Sequence, residues 1–158
     1  MQQDFCFVAY GPEQLIYLIK IRRVAHSHLL SEDEIAFPYF KDCIEAPYNR
    51  LKDDHQTIAL VLVMLDQCHL EVSSGEVGKL REVLGEFEKL WVPHISIEEE
   101  NFTREKLQTV LGIKEQLTLA KKLGRHGSKN SGPVALALPF LFYNLEGRDR
   151  EAFMMPIP

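Results

Sequence analysis

The spacing of apolar residues constrains this chain most, because it recurs at steps of three and four over three long stretches. Such steps follow the α-helical turn of about 3.6 residues, whereas the strict alternation typical of a half-buried strand is nearly absent. The first stretch opens at Pro12, a favourable helix start. Pro38 falls inside the pattern and predicts a kink or an end nearby. The core-facing positions of this first helix are Leu18, Ile21, Ala25, His28, Glu32, Ile35 and Tyr39.

Two further helices are predicted after a break at Ala46-Pro47. A turn at residues 73–75 separates them, Pro93 predicts a local kink in the second, and that helix should end near Thr103. The core-facing positions of the earlier helix are Leu51, His55, Ile58, Leu62, Leu65, His69 and Val72. Those of the later helix are Val77, Leu80, Leu84, Phe87, Trp91, His94 and Glu98.

The remaining segment predicts less regular structure. We expect a weaker helix over about residues 114–123, a glycine-rich loop over 124–133, and a short helix with an irregular tail up to residue 158. Three long helices with short connections predict an all-α fold, an antiparallel up-down helix bundle. The length suits a single domain over residues 1–158, with the bundle helices in 12–110 and a C-terminal helix and tail in 111–158 that pack on the bundle.

The overall charge argues against polyanionic partners. The formal net charge is −5, with one short basic cluster at residues 121–129, so neither nucleic acid nor an anionic membrane is expected as a partner. Three scattered cysteines without a CxxC pair are typical of a reducing compartment. The N-terminal segment lacks the features of a signal peptide, and the apolar run at 134–143 is too short to span a bilayer. We therefore expect a cytoplasmic protein.

Five polar residues occupy stripe positions where a core would favour leucine: His28, Glu32, His55, His94 and Glu98. Two pairs among them have the pattern His-x-x-x-Glu, and a four-residue step returns to within about 40° of the same helix face. Burying an unpaired carboxylate costs on the order of several kcal/mol, and a cation removes that cost. Mixed imidazole and carboxylate ligands suit iron, zinc or manganese more than calcium, and their number in a helix bundle favours two iron ions over one structural zinc.

Each of these residues has a simpler interpretation. A single histidine on an apolar face is more often a core residue with a hydrogen-bond partner, and one His-x-x-x-Glu pair can be a surface hydrogen bond. Two pairs and a third histidine on core faces are harder to explain in that way. Either Glu99 or Glu100 would replace Glu98 if a kink at Pro93 rotates the helix. Asp54 is a candidate to orient a ligand, and His126 is expected to be exposed in the loop.

Three segments resemble the metal-binding motifs of hemerythrin-like (HHE cation-binding) proteins. They are His28-Leu-Leu-Ser-Glu32 through Phe40, Leu51-Lys-Asp-Asp-His55, and Trp91-Val-Pro-His94-Ile-Ser-Ile-Glu98 through Phe102. The resemblance implies a four-helix bundle with an oxo- or carboxylate-bridged di-iron centre, which binds or senses dioxygen, nitric oxide or peroxide, or stores iron. It also implies five metal ligands: His28, Glu32, His55, His94 and one of Glu98 or Glu99. In such a site Glu32 and that second glutamate would bridge the two ions.

The sequence also departs from that family. The family's first helix normally supplies a further histidine, and no histidine precedes His26 here. Leu29 stands where a second histidine often follows the first, and Ala59 and Leu51 leave the next helix without its second ligand. We therefore consider a depleted site, a mononuclear site, or a bundle completed by a second copy. Three amphipathic helices leave apolar surface uncovered, which predicts a homodimer.

The sequence leaves three functions open. The first is a metal-binding module for a small diatomic ligand, peroxide or iron, and the second is a di-iron oxidase or reductase. The third is a helical interaction module that has lost its metal. No phosphate-binding, dinucleotide-binding or nucleophile motif occurs. We accordingly predict no catalytic residues, and the sequence does not indicate an enzyme.

Overall fold

A computed structural model describes residues 12–72 and 77–132, together with residue 147. Within these ranges every element is helical, which confirms the predicted all-α class. A π-helical turn at Glu32–Ala36 joins the first two helices. The helices are α1 Pro12–Ser31, α2 Phe37–Phe40, α3 Tyr48–Val72, α4 Gly78–Asn101, α5 Arg104–Val110 and α6 Ile113–Asn130.

The long helices run antiparallel to their neighbours. His55, near the start of α3, lies beside His94, near the end of α4. Helix α6 is also antiparallel to α1. His126 contacts Ser31, whereas the next residue along α6, Gly127, contacts Ser27, one turn earlier on α1. The predicted antiparallel bundle is thus confirmed, and α6 supplies a fourth long helix.

The core consists of two apolar clusters, and the polar stripe residues lie between them along the chain. On α1 and its continuation, Glu32 follows Leu29 of the first cluster and precedes Ala36 of the second. On α3, His55 stands between Leu51 and Ile58, which belong to different clusters. The helix α4 shows the same order, with a histidine at 94 between Trp91 and Ile97. Three helices therefore bring polar side chains to one level of an otherwise apolar bundle.

The π-helical turn shifts the buried face by one residue. We expected Ile35 and Tyr39 in the core, but the buried residues here are Ala36, Phe37 and Phe40, and Ile35 and Tyr39 are only half-buried. The steps from residue 32 to 36 and from 36 to 40 each advance about 40° beyond a full α-helical turn. A wider π turn takes up this drift, so that side chains before and after it both face the bundle.

Helix α6 corrects two expectations. The segment 124–130 is helical rather than a loop, and the side chain of His126 is only 12% exposed. Two glycines make this stretch a poor helix former by propensity, but contacts with α1 outweigh that preference. Ser27 Oγ of α1 donates to the Gly127 carbonyl at 3.4 Å, and Ser31 Oγ of α1 lies 3.0 Å from His126 Nδ1. Leu119 is also buried in the second cluster, and within α6 itself Ser128 Oγ donates to the Gly124 carbonyl at 2.8 Å.

The expected C-terminal tail lies outside the described residues, as does the N-terminal segment before Pro12. The assignment of residues 1–158 to one domain, with the tail packed on the bundle, therefore stays a prediction. Among the described helices, none combines the length and apolar character that crossing a membrane requires.

Replacing Gly124 by alanine should raise the free energy of unfolding by about 1 kcal/mol, because alanine is the better helix former and Gly124 has open space for a methyl group. Gly132→Ala should instead destabilise the protein. Gly132 has a φ of 83°, and an added Cβ would lie 2.5 Å from a guanidinium nitrogen of Arg23. Urea denaturation of the two variants and the wild type measures both effects. A Gly124→Ala protein no more stable than the wild type would contradict the helical assignment of this segment.

Candidate metal centre

Five side chains from three helical segments converge at the level between the two apolar clusters. Two of them, His28 and Glu32, lie one turn apart on α1 and the start of the π turn. His55 comes from α3, and His94 and Glu98 come from α4, again one turn apart. The cluster of side chains depends on the packing of all three segments, since each contributes at least one histidine.

The distances between donor atoms are short. His28 Nε2 lies 3.1 Å from Glu32 Oε2 and 3.4 Å from Glu98 Oε2. His94 Nε2 lies 3.1 Å from Glu98 Oε1. One donor atom from each of His28, Glu32, His94 and Glu98 lies within 4.8 Å of all the others. These four residues form a group that could hold a metal ion.

His55 lies directly beside this group. Its Nε2 is 3.2 Å from His94 Nε2, 3.4 Å from Glu32 Oε2 and 4.0 Å from Glu98 Oε1. The side chains of His55 and His94 are 2% and 0% exposed, so water does not separate them from the rest of the bundle. The structure therefore brings together five of the six predicted site residues.

Several buried donor atoms lack a hydrogen bond. Within the cluster they include His28 Nε2, Glu32 Oε2 and Glu98 Oε1, each of which points toward the other members, whereas His94 Nδ1 points toward Asp54. A buried polar atom without a partner costs about 1–3 kcal/mol, and more when the group is charged. Imidazole nitrogens and carboxylate oxygens that face one another in this way fit a transition-metal ion, which accepts electron pairs from both.

The charges of the cluster shift the pKa values of its members. Burial alone would lower the pKa of His55, but contacts with Glu32, Glu98 and Asp33 outweigh it and raise that pKa to about 10. Burial would raise the pKa of Glu98, yet its three histidine neighbours hold that pKa well below its usual range. Burial raises the pKa of Glu32, and the nearby histidines offset this only in part. The cluster is thus an environment that attracts positive charge.

The carboxylate of Asp33, next to Glu32 in the sequence, orients His55. Asp33 Oδ1 lies 2.9 Å from His55 Nδ1, and because a carboxylate only accepts, Nδ1 is the donor. In the neutral ring this leaves the lone pair of Nε2 directed into the cluster, as a metal ligand requires. The face of the ring stacks on Phe37 with the centroids 5.3 Å apart. Helical periodicity does not indicate Asp33 as a site residue, since a residue adjacent to Glu32 is about 100° away on a regular helix.

Two other expectations are resolved by position. Glu99 is exposed and does not join the cluster, because α4 continues through Pro93 with Glu98 on its buried face. The expectation that Glu99 could replace Glu98 is therefore corrected. Asp54 Oδ2 lies 3.8 Å from His94 Nδ1, which is too long for a hydrogen bond.

Comparison with known proteins identifies one family. The family model described as "Hemerythrin HHE cation binding domain" matches residues 9–105. The match includes the five clustered side chains and ends before α6 begins at Ile113. No curated protein and no solved structure matches the chain significantly.

Proposed function

This chain belongs to the hemerythrin HHE cation-binding domain family, and on that premise we propose that it is a non-haem iron protein with a two-iron centre. His28, Glu32, His55, His94 and Glu98 would hold the two ions. The centre would bind a small ligand of the dioxygen, nitric oxide or peroxide type.

The observation that carries this proposal is the set of buried donor atoms without hydrogen bonds. Among them are an imidazole nitrogen and two carboxylate oxygens, which face one another across a few ångströms. A purely structural network would instead pair donors with acceptors, because unsatisfied polar atoms in a bundle interior destabilise the fold. A cation satisfies all of these atoms at once.

The arrangement of the carboxylates supports two ions rather than one. Glu98 contacts two histidines through different oxygens, with Oε1 3.1 Å from His94 Nε2 and Oε2 3.4 Å from His28 Nε2. This is the arrangement expected of a carboxylate that is shared between two metal ions. Glu32 contacts His28 and His55 through the single oxygen Oε2, at 3.1 and 3.4 Å.

The donor set supports iron and an exogenous ligand. Two carboxylates and three histidines match the mixed oxygen and nitrogen environment that non-haem iron uses, although zinc and manganese accept the same donors. Five side chains are too few to complete the coordination of two iron ions, which leaves positions for a small molecule. Bound iron would supply reversible binding or electron transfer toward that molecule.

Anaerobic titration of the metal-free protein with ferrous iron tests the proposal. We expect binding to saturate at two ions per chain, and we expect zinc and manganese to compete for the same positions. Nitric oxide added to the iron-loaded protein should give an optical spectrum that the metal-free protein does not show. Failure to bind iron would contradict the proposal and favour a helical interaction module, whereas saturation at one ion would exclude the two-iron centre.

The other functional expectations stay predictions. Turnover of peroxide or an organic substrate by the iron-loaded protein would indicate an oxidase or reductase, and retention of ferric iron in excess of two ions would indicate storage. The homodimer was predicted from uncovered apolar surface on three helices. Since α6 packs on α1 as a fourth helix, that argument now depends on the remaining faces, and sizing the protein with and without iron tests it.

A further inference from the structure

The π-helical turn sends consecutive side chains to different partners. Glu32 contacts His28 and His55 of the metal centre, and Asp33 contacts the outer nitrogen of His55. The next residue, Glu34, points the other way and contacts His126 of α6. The π turn therefore contacts both the metal centre and helix α6 within three consecutive residues.

His126 contacts this segment at two points. Its Nδ1 lies 3.0 Å from Ser31 Oγ, and its Nε2 lies 2.8 Å from Glu34 Oε2. A carboxylate only accepts, so Nε2 donates to Glu34 and, in the neutral ring, Nδ1 accepts from the Ser31 hydroxyl. The ring thereby joins the last residue of α1 to the middle of the π turn.

The position of His126 is itself well defined. Asn130, one turn later on α6, donates to the His126 carbonyl at 3.0 Å and lies 3.2 Å from the ring nitrogens. The side chain of His126 is 12% exposed, whereas that of Glu34 is 59% exposed. His126 is thus held in place within α6, and it fixes the exposed side chain of Glu34 on the neighbouring π turn.

A π turn needs such support, because it is wider than an α-helical turn and rare outside functional sites. If this turn relaxed to a regular α-helix, the residues on one side would rotate by about 100° relative to the other. Leu29 before the turn, and Phe37 and Phe40 after it, are buried in the apolar core and resist that rotation. Glu32 and Asp33 would therefore be the groups that leave their positions beside the histidines.

We propose that His126 is a positioning residue for the metal centre, which holds the π turn in the register that directs Glu32 and Asp33 toward the histidines. This inference rests on the proposed metal-binding function. Because His126 lies beyond residues 9–105, it is a contribution of α6 to a centre whose other residues all lie within the matched family domain.

The test compares His126→Phe with His126→Gln and Leu123→Ala. Phenylalanine fills the space but cannot bond to Ser31 or Glu34, glutamine retains one donor for Glu34, and Leu123→Ala removes a half-buried apolar group from the same helix. Ferrous iron affinity is measured by competition with a chelator, at a temperature where all variants are folded. Loss of an orienting partner costs about 10–100-fold in metal affinity, so we expect a loss of that size in His126→Phe, partial recovery in His126→Gln, and no loss in Leu123→Ala.

Hydrogen exchange on the metal-free protein provides a second, independent readout. The amides of residues 31–36 should exchange at least about tenfold faster in His126→Phe than in Leu123→Ala, because only the former releases the π turn. Unchanged exchange in His126→Phe would overturn the inference. So would a wild-type protein that binds iron and a His126→Phe variant that binds it equally well. A wild-type protein that binds no metal would overturn the proposed function, and the exchange data would then show only whether His126 holds the turn.

Discussion

Replacing Glu98 by glutamine is expected to weaken ferrous iron binding by more than about 100-fold, since loss of a residue that only orients a ligand already costs about 10–100-fold. Glu98 contacts all three histidines of the cluster, at 3.1 Å from His94, 3.4 Å from His28 and 4.0 Å from His55. Glutamine has nearly the same shape but lacks the negative charge that balances the metal. Chelator competition followed by metal analysis measures the change.

Glu99→Gln is the matched control for this experiment. Glu99 is the next residue on the same helix, carries the same charge, and is exposed. Its replacement should leave iron affinity within about twofold, because the interaction of a solvent-exposed charge is weak and screened by salt. Equal losses in the two variants would show that α4 presents a different face to the centre from the one described here.

Saturating iron is expected to stabilise the wild-type protein by about 4 kcal/mol for each bound ion when free iron exceeds the dissociation constant about 1,000-fold. For a chain of this length, that corresponds to a rise of about 8–16 °C in the midpoint of thermal unfolding. The effect arises because the unfolded chain does not hold the five donors together. His94→Ala should lose most of this stabilisation, since the side chain of His94 is fully buried within the cluster.

The informative quantity is the difference between iron-loaded and metal-free protein. His94→Ala also leaves a cavity in the bundle, which lowers the stability of both forms and largely cancels in that difference. His26→Ala provides the control, because His26 is an exposed histidine two residues before His28. It should keep the full iron-dependent rise. A rise that persists undiminished in His94→Ala would contradict the assignment of His94 as a ligand.

Much of the centre could be predicted from helical periodicity. A four-residue step places His28 above Glu32 and His94 above Glu98, whatever the rest of the chain does. These pairs and His55 interrupt apolar stripes, which indicates that they face the interior. In the structure His55, His94 and Glu98 are buried, whereas the side chains of His28 and Glu32 are 35% and 16% exposed.

The choice between Glu98 and Glu99 required the observed course of α4. A kink at Pro93 would rotate the residues that follow, and the sequence does not state how large such a rotation is. The helix continues from Gly78 to Asn101 through Pro93, and Glu98 rather than its neighbour contacts the histidines.

Sequence alone determined the helical class and the five polar residues on the apolar stripes, because these depend on spacing within each helix, and it determined the antiparallel order through the short connections between long helices. Only the tertiary structure decided the π turn, the contact of Asp33 with His55 and the helical state of the segment around His126. These features depend on contacts between residues far apart in the chain, such as Ser31 with His126 and Ser27 with Gly127. Local propensity favoured a loop at the glycines of α6, and packing against α1 outweighed it.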